Sequence, residues 1–270
     1  MRIGISNIAW DVSEDESISE LLRKNKIDAI DIAPTKYFSN PTRVSQSEIL
    51  EVKKWWAGKG IEITGMQSLL FGKTEFNIFG PLDVQDAMLQ YLASIFRIAQ
   101  VIEAPRLVFG SPKNRDRSGL TQERTEAVAL SFFRRLGDLA IDFDISICLE
   151  PNPTCYGCNF MTNAIETALV VKNIDHPAIK MQLDVGALSI NEENISDVLS
   201  SSSHLIGHVH LSEPGLSPLG DCKTDHVTIS EAIEKYLPDQ LLCIEMLATE
   251  EESHQISVKR ALDVATKYYT

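Results

Sequence analysis

The stretch ICLEPNP, residues 147–153, places a carboxylate where a buried strand stops. Ile147, Cys148 and Leu149 read as a short apolar strand; Glu150 follows at once, and Pro151 and Pro153 end the pairing because proline has no N–H to donate to a ladder. The same shape recurs in LCIEML, residues 242–247, where Glu245 follows Cys243 and Ile244. Two strands that each deliver a glutamate at the C-terminal end ask for an architecture in which strand ends share one location.

Working outward, short β-rich runs alternate with longer helical patterns along the whole chain. Strands are predicted at 2–6, 29–33, 62–66, 106–109, 146–150, 180–184, 207–210 and 242–246, eight in all. Helices are predicted at 17–24, 45–59, 84–102, 121–142, 163–173, 192–199, 229–236 and 253–268, with Ser45 and Glu48 spaced as a capping box. Strand–helix alternation implies parallel strands, because each crossover must return the chain to the same end of the sheet. Eight such units predict an α/β fold, a (β/α)8 TIM barrel forming one domain over residues 1–270. The competing architecture, a doubly wound open sheet, ordinarily carries a Gly-rich phosphate loop after its first strand, and Gly4 stands alone there.

Composition narrows the function classes. Apolar residues at 44% and charged residues at 23% are those of an ordinary globular protein. The net charge of −13 and the lack of a basic stripe argue against nucleic acid as a partner. No basic n-region precedes an apolar stretch near Met1 and no run is apolar enough to span a bilayer, so the expected location is the cytoplasm, away from membranes. Five cysteines, an odd number, fit a reducing compartment better than a disulfide framework. Cys155 and Cys158 form one CxxC, with Cys222 a conceivable third member, but a lone pair is weak evidence for a metal and free thiols are expected.

In a barrel the C-terminal strand ends form the working face. Strands five to eight then bring Glu150, Asp184, His210 and Glu245 to one rim. A single strand-end carboxylate is commonly a cap or an ion-pair partner, and a single histidine is commonly structural; at four successive strands, each would need its own separate explanation. Three carboxylates at one rim repel one another unless something positive lies among them, and one divalent cation is the simplest remedy. Three oxygen donors and an imidazole favour Mn²⁺ or Mg²⁺, with Co²⁺, Fe²⁺ or Zn²⁺ allowed. Strand alternation turns Cys148 and Cys243 inward beneath the site, and puts Lys180 and Gln182 on the face of Asp184 and His208 on that of His210. His208 and Lys180 are therefore candidates to support the ligands from behind.

The order Glu150, Asp184, His210, Glu245, with GHVHLSE and CIEM around the last two, resembles the xylose-isomerase-like barrel superfamily, and FGSPKNR and LEPNP are similar to its sugar-phosphate isomerase/epimerase branch. The resemblance implies a metal-dependent ketose 3-epimerase or related isomerase acting on a small carbohydrate, in which Glu150 and Glu245 bind the metal and exchange protons on opposite substrate faces. Homo-oligomers are compatible with it.

Three positions depart from the ketose 3-epimerase pattern. Ala187 stands where a substrate-binding His is expected, Tyr156 where a second Glu is expected, and HLSEPGLSPLG lacks an expected Arg. The same metal and glutamate pair would also serve a keto-sugar or keto-inositol dehydratase, and a non-catalytic sugar-binding barrel is the alternative outside enzymes. Substrate-binding candidates follow the predicted strands: Lys113, Arg115, Tyr156 and His226, together with Lys36, Lys73 and Lys223 for an anionic group and Trp10 and Phe71 for stacking on a sugar.

Overall fold

The computed structural model describes residues 1–270. Eight strands pair in sequence order, all parallel, and the last closes on the first, so the sheet has no edge and the open doubly wound alternative is excluded. They are β1 (Ile3–Ser6), β2 (Ala29–Ile32), β3 (Glu62–Met66), β4 (Arg106–Phe109), β5 (Ser146–Leu149), β6 (Ile179–Asp184), β7 (Ile206–Ser212) and β8 (Leu242–Glu245). This is the (β/α)8 TIM barrel. Glu150 lies one residue beyond β5, and β7 runs to Ser212, two residues past His210.

The long helices fall where apolar spacing predicts them, at Gln46–Gly58, Leu82–Ile102, Gln122–Ile141, Ala164–Ile174 and His254–Tyr269. Ser45 caps the first of these: its Oγ accepts from the Glu48 N–H while its own N–H donates to Glu48 Oε2 at 2.8 Å, closing the capping box. Other boundaries shift. The first helix begins at Asp15, and the one predicted from residue 229 begins at His226. Between β6 and β7 lie two helices, Val185–Ile190 and Ile195–Ser202; the first is capped by the Asp184 carboxylate, which accepts from the Ala187 N–H at 2.6 Å.

The apolar core fills the layer between sheet and helices, with Ile5, Ile30, Ile147, Leu183, Val209 and Ile244 fully buried. The barrel interior is different. Gly4 pairs in register with Ala29 and with Cys243, so small side chains meet at this level. Above them Asp31 and His208, both buried, face each other across the lumen. No helix is long and apolar enough to cross a membrane.

Candidate metal centre

Glu150, Asp184, His210 and Glu245 converge at the C-terminal mouth, each offering one donor atom within 4.8 Å of the others. Four adjacent strands cause this, since in-register parallel pairing sets Asp184 beside His210 and Ser212 beside Glu245. His210 Nδ1 lies between the two glutamates, 3.2 Å from Glu150 Oε1 and 3.1 Å from Glu245 Oε2. Asp184 Oδ2 accepts from Ser212 Oγ at 2.8 Å, which orients that carboxylate from the neighbouring strand. Gly110 follows β4, and a Cβ there would stand 1.9 Å from Glu150 Oε2, so only glycine admits the glutamate in this position.

The electrostatics of this cluster are those of a site short of positive charge. Burial, followed by the charges of Glu150 and Glu245, pushes the Asp184 carboxyl up to about 8. His210 is opposed by burial, but Glu245 and Glu150 outweigh it and hold the imidazole well above its ordinary value. Burial acts likewise against Glu245, and His210 and Gln67 more than offset it, leaving this carboxyl below the ordinary range. Oxygen-rich donors crowded around one imidazole nitrogen fit a divalent cation, which would take over the neutralising role that protons play without it.

Two adjoining cavities open at this mouth and share Glu150, Asn152, Leu216 and Glu245. The first, of about 240 Å³, runs along Gln67, Ser68, Phe71 and Ser111; the second, of about 340 Å³, reaches Tyr156, Asp184 and Ala187. Neither is lined by a lysine or arginine. Tyr156 lines the second cavity, its OH accepting from the Gly215 N–H at 2.7 Å, and Phe71, 73% exposed, lines the first.

Several predicted substrate contacts lie elsewhere. Arg115 is fully buried and donates to the Glu150 carbonyl at 2.7 Å, so it braces the strand end from behind. Lys113 is exposed and outside both cavities. His226 is a correction: starting its helix at that residue turns the ring inward, where Nδ1 meets Tyr269 OH at 2.8 Å and Nε2 meets Glu213 Oε1 at 3.1 Å, leaving no nitrogen for a ligand. Lys180 is also corrected. It stands beside Gly207 and Cys148, four residues and thus ~13 Å down β6 from Asp184. Lys36 donates to the carbonyls of Asn7 and Trp10, Lys73 pairs with Glu75 at 3.7 Å, and Lys223 is exposed. Trp10 is buried with its indole N–H on Asp15. Cys155, Cys158 and Cys222 are free thiols.

His208 does stand behind His210, their rings edge to face at 5.2 Å. Its Nδ1 accepts from the Val209 N–H at 2.8 Å, so Nε2 carries the proton and donates to Asp31 Oδ2 at 2.5 Å. Asp31, Gln67, Asn152 and Ser212 were not singled out by the sequence. Asp31 reads there only as a polar residue within a strand, and neutral amides and hydroxyls carry no signal until the carboxylates they face are known.

A family model described as xylose isomerase-like TIM barrel matches residues 19–241. The chain belongs to that family. No curated protein sequence matches it. Among solved structures, similar ones in this fold include D-psicose 3-epimerase from Clostridium cellulolyticum H10 with D-tagatose, at TM-score 0.83 and 19% identity, covering 100% of this chain and 99% of that one. The 3-keto-D-glucoside 4-epimerase YcjR from E. coli gives TM-score 0.80 and 17% identity over 98% and 99% of the two chains. The IOLI protein with a bound zinc atom gives 0.75 and 14% over the full length of both. At these identities the family's barrel is what is shared.

Proposed function

We propose that this protein is a divalent-metal-dependent sugar epimerase or isomerase acting on an unphosphorylated ketose or keto-sugar, with Glu150 and Glu245 as its proton-transfer pair. The observation that carries this reading is the placing of two carboxylates on either side of one imidazole nitrogen, at 3.2 and 3.1 Å, both facing a common cavity. Glu150, Asp184, His210 and Glu245 would hold the cation, with Mn²⁺ or Mg²⁺ favoured by the oxygen-rich set and Co²⁺, Fe²⁺ or Zn²⁺ allowed. A bound cation supplies polarisation of the substrate carbonyl and of its neighbouring hydroxyl, which stabilises the enediolate left by proton loss.

The remaining work falls to the chain. One glutamate accepts the proton from the carbon beside the carbonyl, and the other delivers a proton to the opposite face, inverting that carbon. Holding both carboxylates on strand ends keeps their separation fixed while the proton moves. The absence of lysine and arginine from the cavity walls, together with three carboxylates, disfavours a phosphate and suits a neutral sugar. Tyr156 and Phe71 offer flat surfaces to the C–H face of such a substrate. Structural neighbours that act on D-psicose and on a 3-keto-D-glucoside are consistent with a keto-sugar substrate.

Turnover in deuterated water tests the reading. Metal-loaded protein given D-fructose, D-psicose, D-tagatose and keto-glucosides should place deuterium at the inverted carbon and give a product isomeric with its substrate. A product lighter by one water would instead make it a dehydratase, and binding without conversion would make it a sugar-binding barrel.

A further inference from the structure

Gln67 immediately follows β3, three strands from β8 around the closed barrel. Its backbone is fixed as it leaves the sheet: the Gln67 N–H donates to the Ile32 carbonyl at 3.0 Å, and Ser68 takes a left-handed turn with φ 54°. From there the side chain reaches to β8, where Nε2 donates to Glu245 Oε1 at 2.5 Å. The carboxylate is acceptor-only, so the amide must turn its NH₂ toward it, and Oε1 faces away, buried and without a donor. A glutamine that served packing alone would be better replaced by an apolar side chain, because its buried oxygen goes unsatisfied. Its N–H toward Glu245 accounts for it.

The two oxygens of Glu245 are thereby divided. Oε1 is taken by Gln67, and Oε2 is presented 3.1 Å from His210 Nδ1, where the four donor atoms converge. Glu150 is braced more loosely, since Asn152 Nδ2 reaches its Oε2 only at 3.3 Å. We propose that Gln67 is a positioning residue: by holding Glu245 Oε1 it fixes the rotation of the carboxylate and sets which oxygen faces the cation. This rests on the reading of Glu245 as a metal ligand.

A double-mutant cycle on the full chain tests it, with Mn²⁺ as the titrant and free Mn²⁺ followed by electron paramagnetic resonance. Gln67→Leu should raise the Mn²⁺ Kd by about 10–100-fold, the loss typical of removing a partner that orients a ligand. In a Glu245→Ala background the same substitution should change Kd by less than about twofold, because the group it acts through is gone. Circular dichroism and thermal melting check folding, and Gln67→Met, whose unbranched stem keeps the packing volume, stands in if the leucine variant unfolds. A Kd unchanged by Gln67→Leu, or raised equally in both backgrounds, overturns the positioning role while Glu245 stands as a ligand. A Kd unchanged by Glu245→Ala alone removes the ligand reading, and the positioning role with it.

Discussion

Metal uptake should expel protons, and the number follows from the site. Without a cation, Asp184 holds a proton up to about pH 8, because burial and the charges of Glu150 and Glu245 disfavour its ionised form. His210 is held protonated well above its ordinary value by the same two glutamates, against the opposing effect of burial. A cation needs Asp184 ionised and His210 neutral at Nδ1, so at neutral pH its entry should displace about two protons. Each displaced proton steepens the pH dependence by about tenfold in affinity, or about 1.4 kcal/mol, per pH unit. The apparent Kd should then fall by about two decades per unit below pH 8 and by about one decade per unit above it, where only the histidine proton remains. Calorimetric titration of Mn²⁺ in buffers of differing ionisation enthalpy counts the protons directly at each pH. Release near zero at neutral pH, with a flat Kd, would refute the electrostatic account of the site.

The other expectations concern single side chains. Glu150→Gln and Glu245→Gln keep shape and one oxygen donor but remove the base, so each should slow turnover by roughly 10²–10⁴ with metal still bound, as steady-state kinetics on metal-saturated protein would reveal. Gly110→Ala pushes a methyl group into Glu150 Oε2, so the carboxylate must swing away, and turnover should fall by about 10² or more while the melting temperature changes little. Asp184→Asn should weaken Mn²⁺ binding yet stabilise the metal-free protein at pH 8. The sign follows from linkage: folding raises this carboxyl from 3.8 to about 8, so the folded chain holds a proton that the unfolded chain has lost, and stability falls as pH rises between those values. His210, also raised, adds to the fall above its unfolded value, so melting curves of the variant should be flatter with pH than those of the wild type but not flat.

The fold was legible because each strand is an apolar run closed by a breaker, and because Ser45 and Glu48 announce a helix start that the structure makes in full. The four converging residues were legible for a related reason. A carboxylate or imidazole at the end of an apolar strand is costly, and repetition of that cost on successive strands has few explanations. Loop contacts were not legible. His226 is claimed by Tyr269, 43 residues further on, and Arg115 by the carbonyl of Glu150, neither of which leaves a local pattern. The helix Val185–Ile190 escaped because its cap is Asp184, a residue whose position suggests a ligand and conceals a second use.

Two groups of buried ligand-type side chains share this barrel, and their electrostatics separate them. Asp31, His208, His210 and Cys243 also gather within 4.8 Å. There, however, burial of Asp31 is more than offset by His208, His210 and Thr64, and its carboxyl stays below the ordinary range. Thr64 Oγ1 donates to one oxygen at 3.0 Å and His208 Nε2 to the other, so that carboxylate is already satisfied from within the chain. Burial and the charge of Asp31 also keep the Cys243 thiol well above its ordinary value, hence protonated and a poor metal ligand. At the mouth the balance is reversed, since Asp184 is forced toward its protonated form by neighbours of its own sign. Internal donors reach the mouth carboxylates too, so the distinction is one of charge: a carboxylate with no neighbour of its own sign stays ionised as part of the framework, whereas carboxylates crowded together at an open cavity are poised for a charge supplied from outside. On the proposed reading, Asp31, His208 and Cys243 support His210 from beneath, and the upper group would hold the cation.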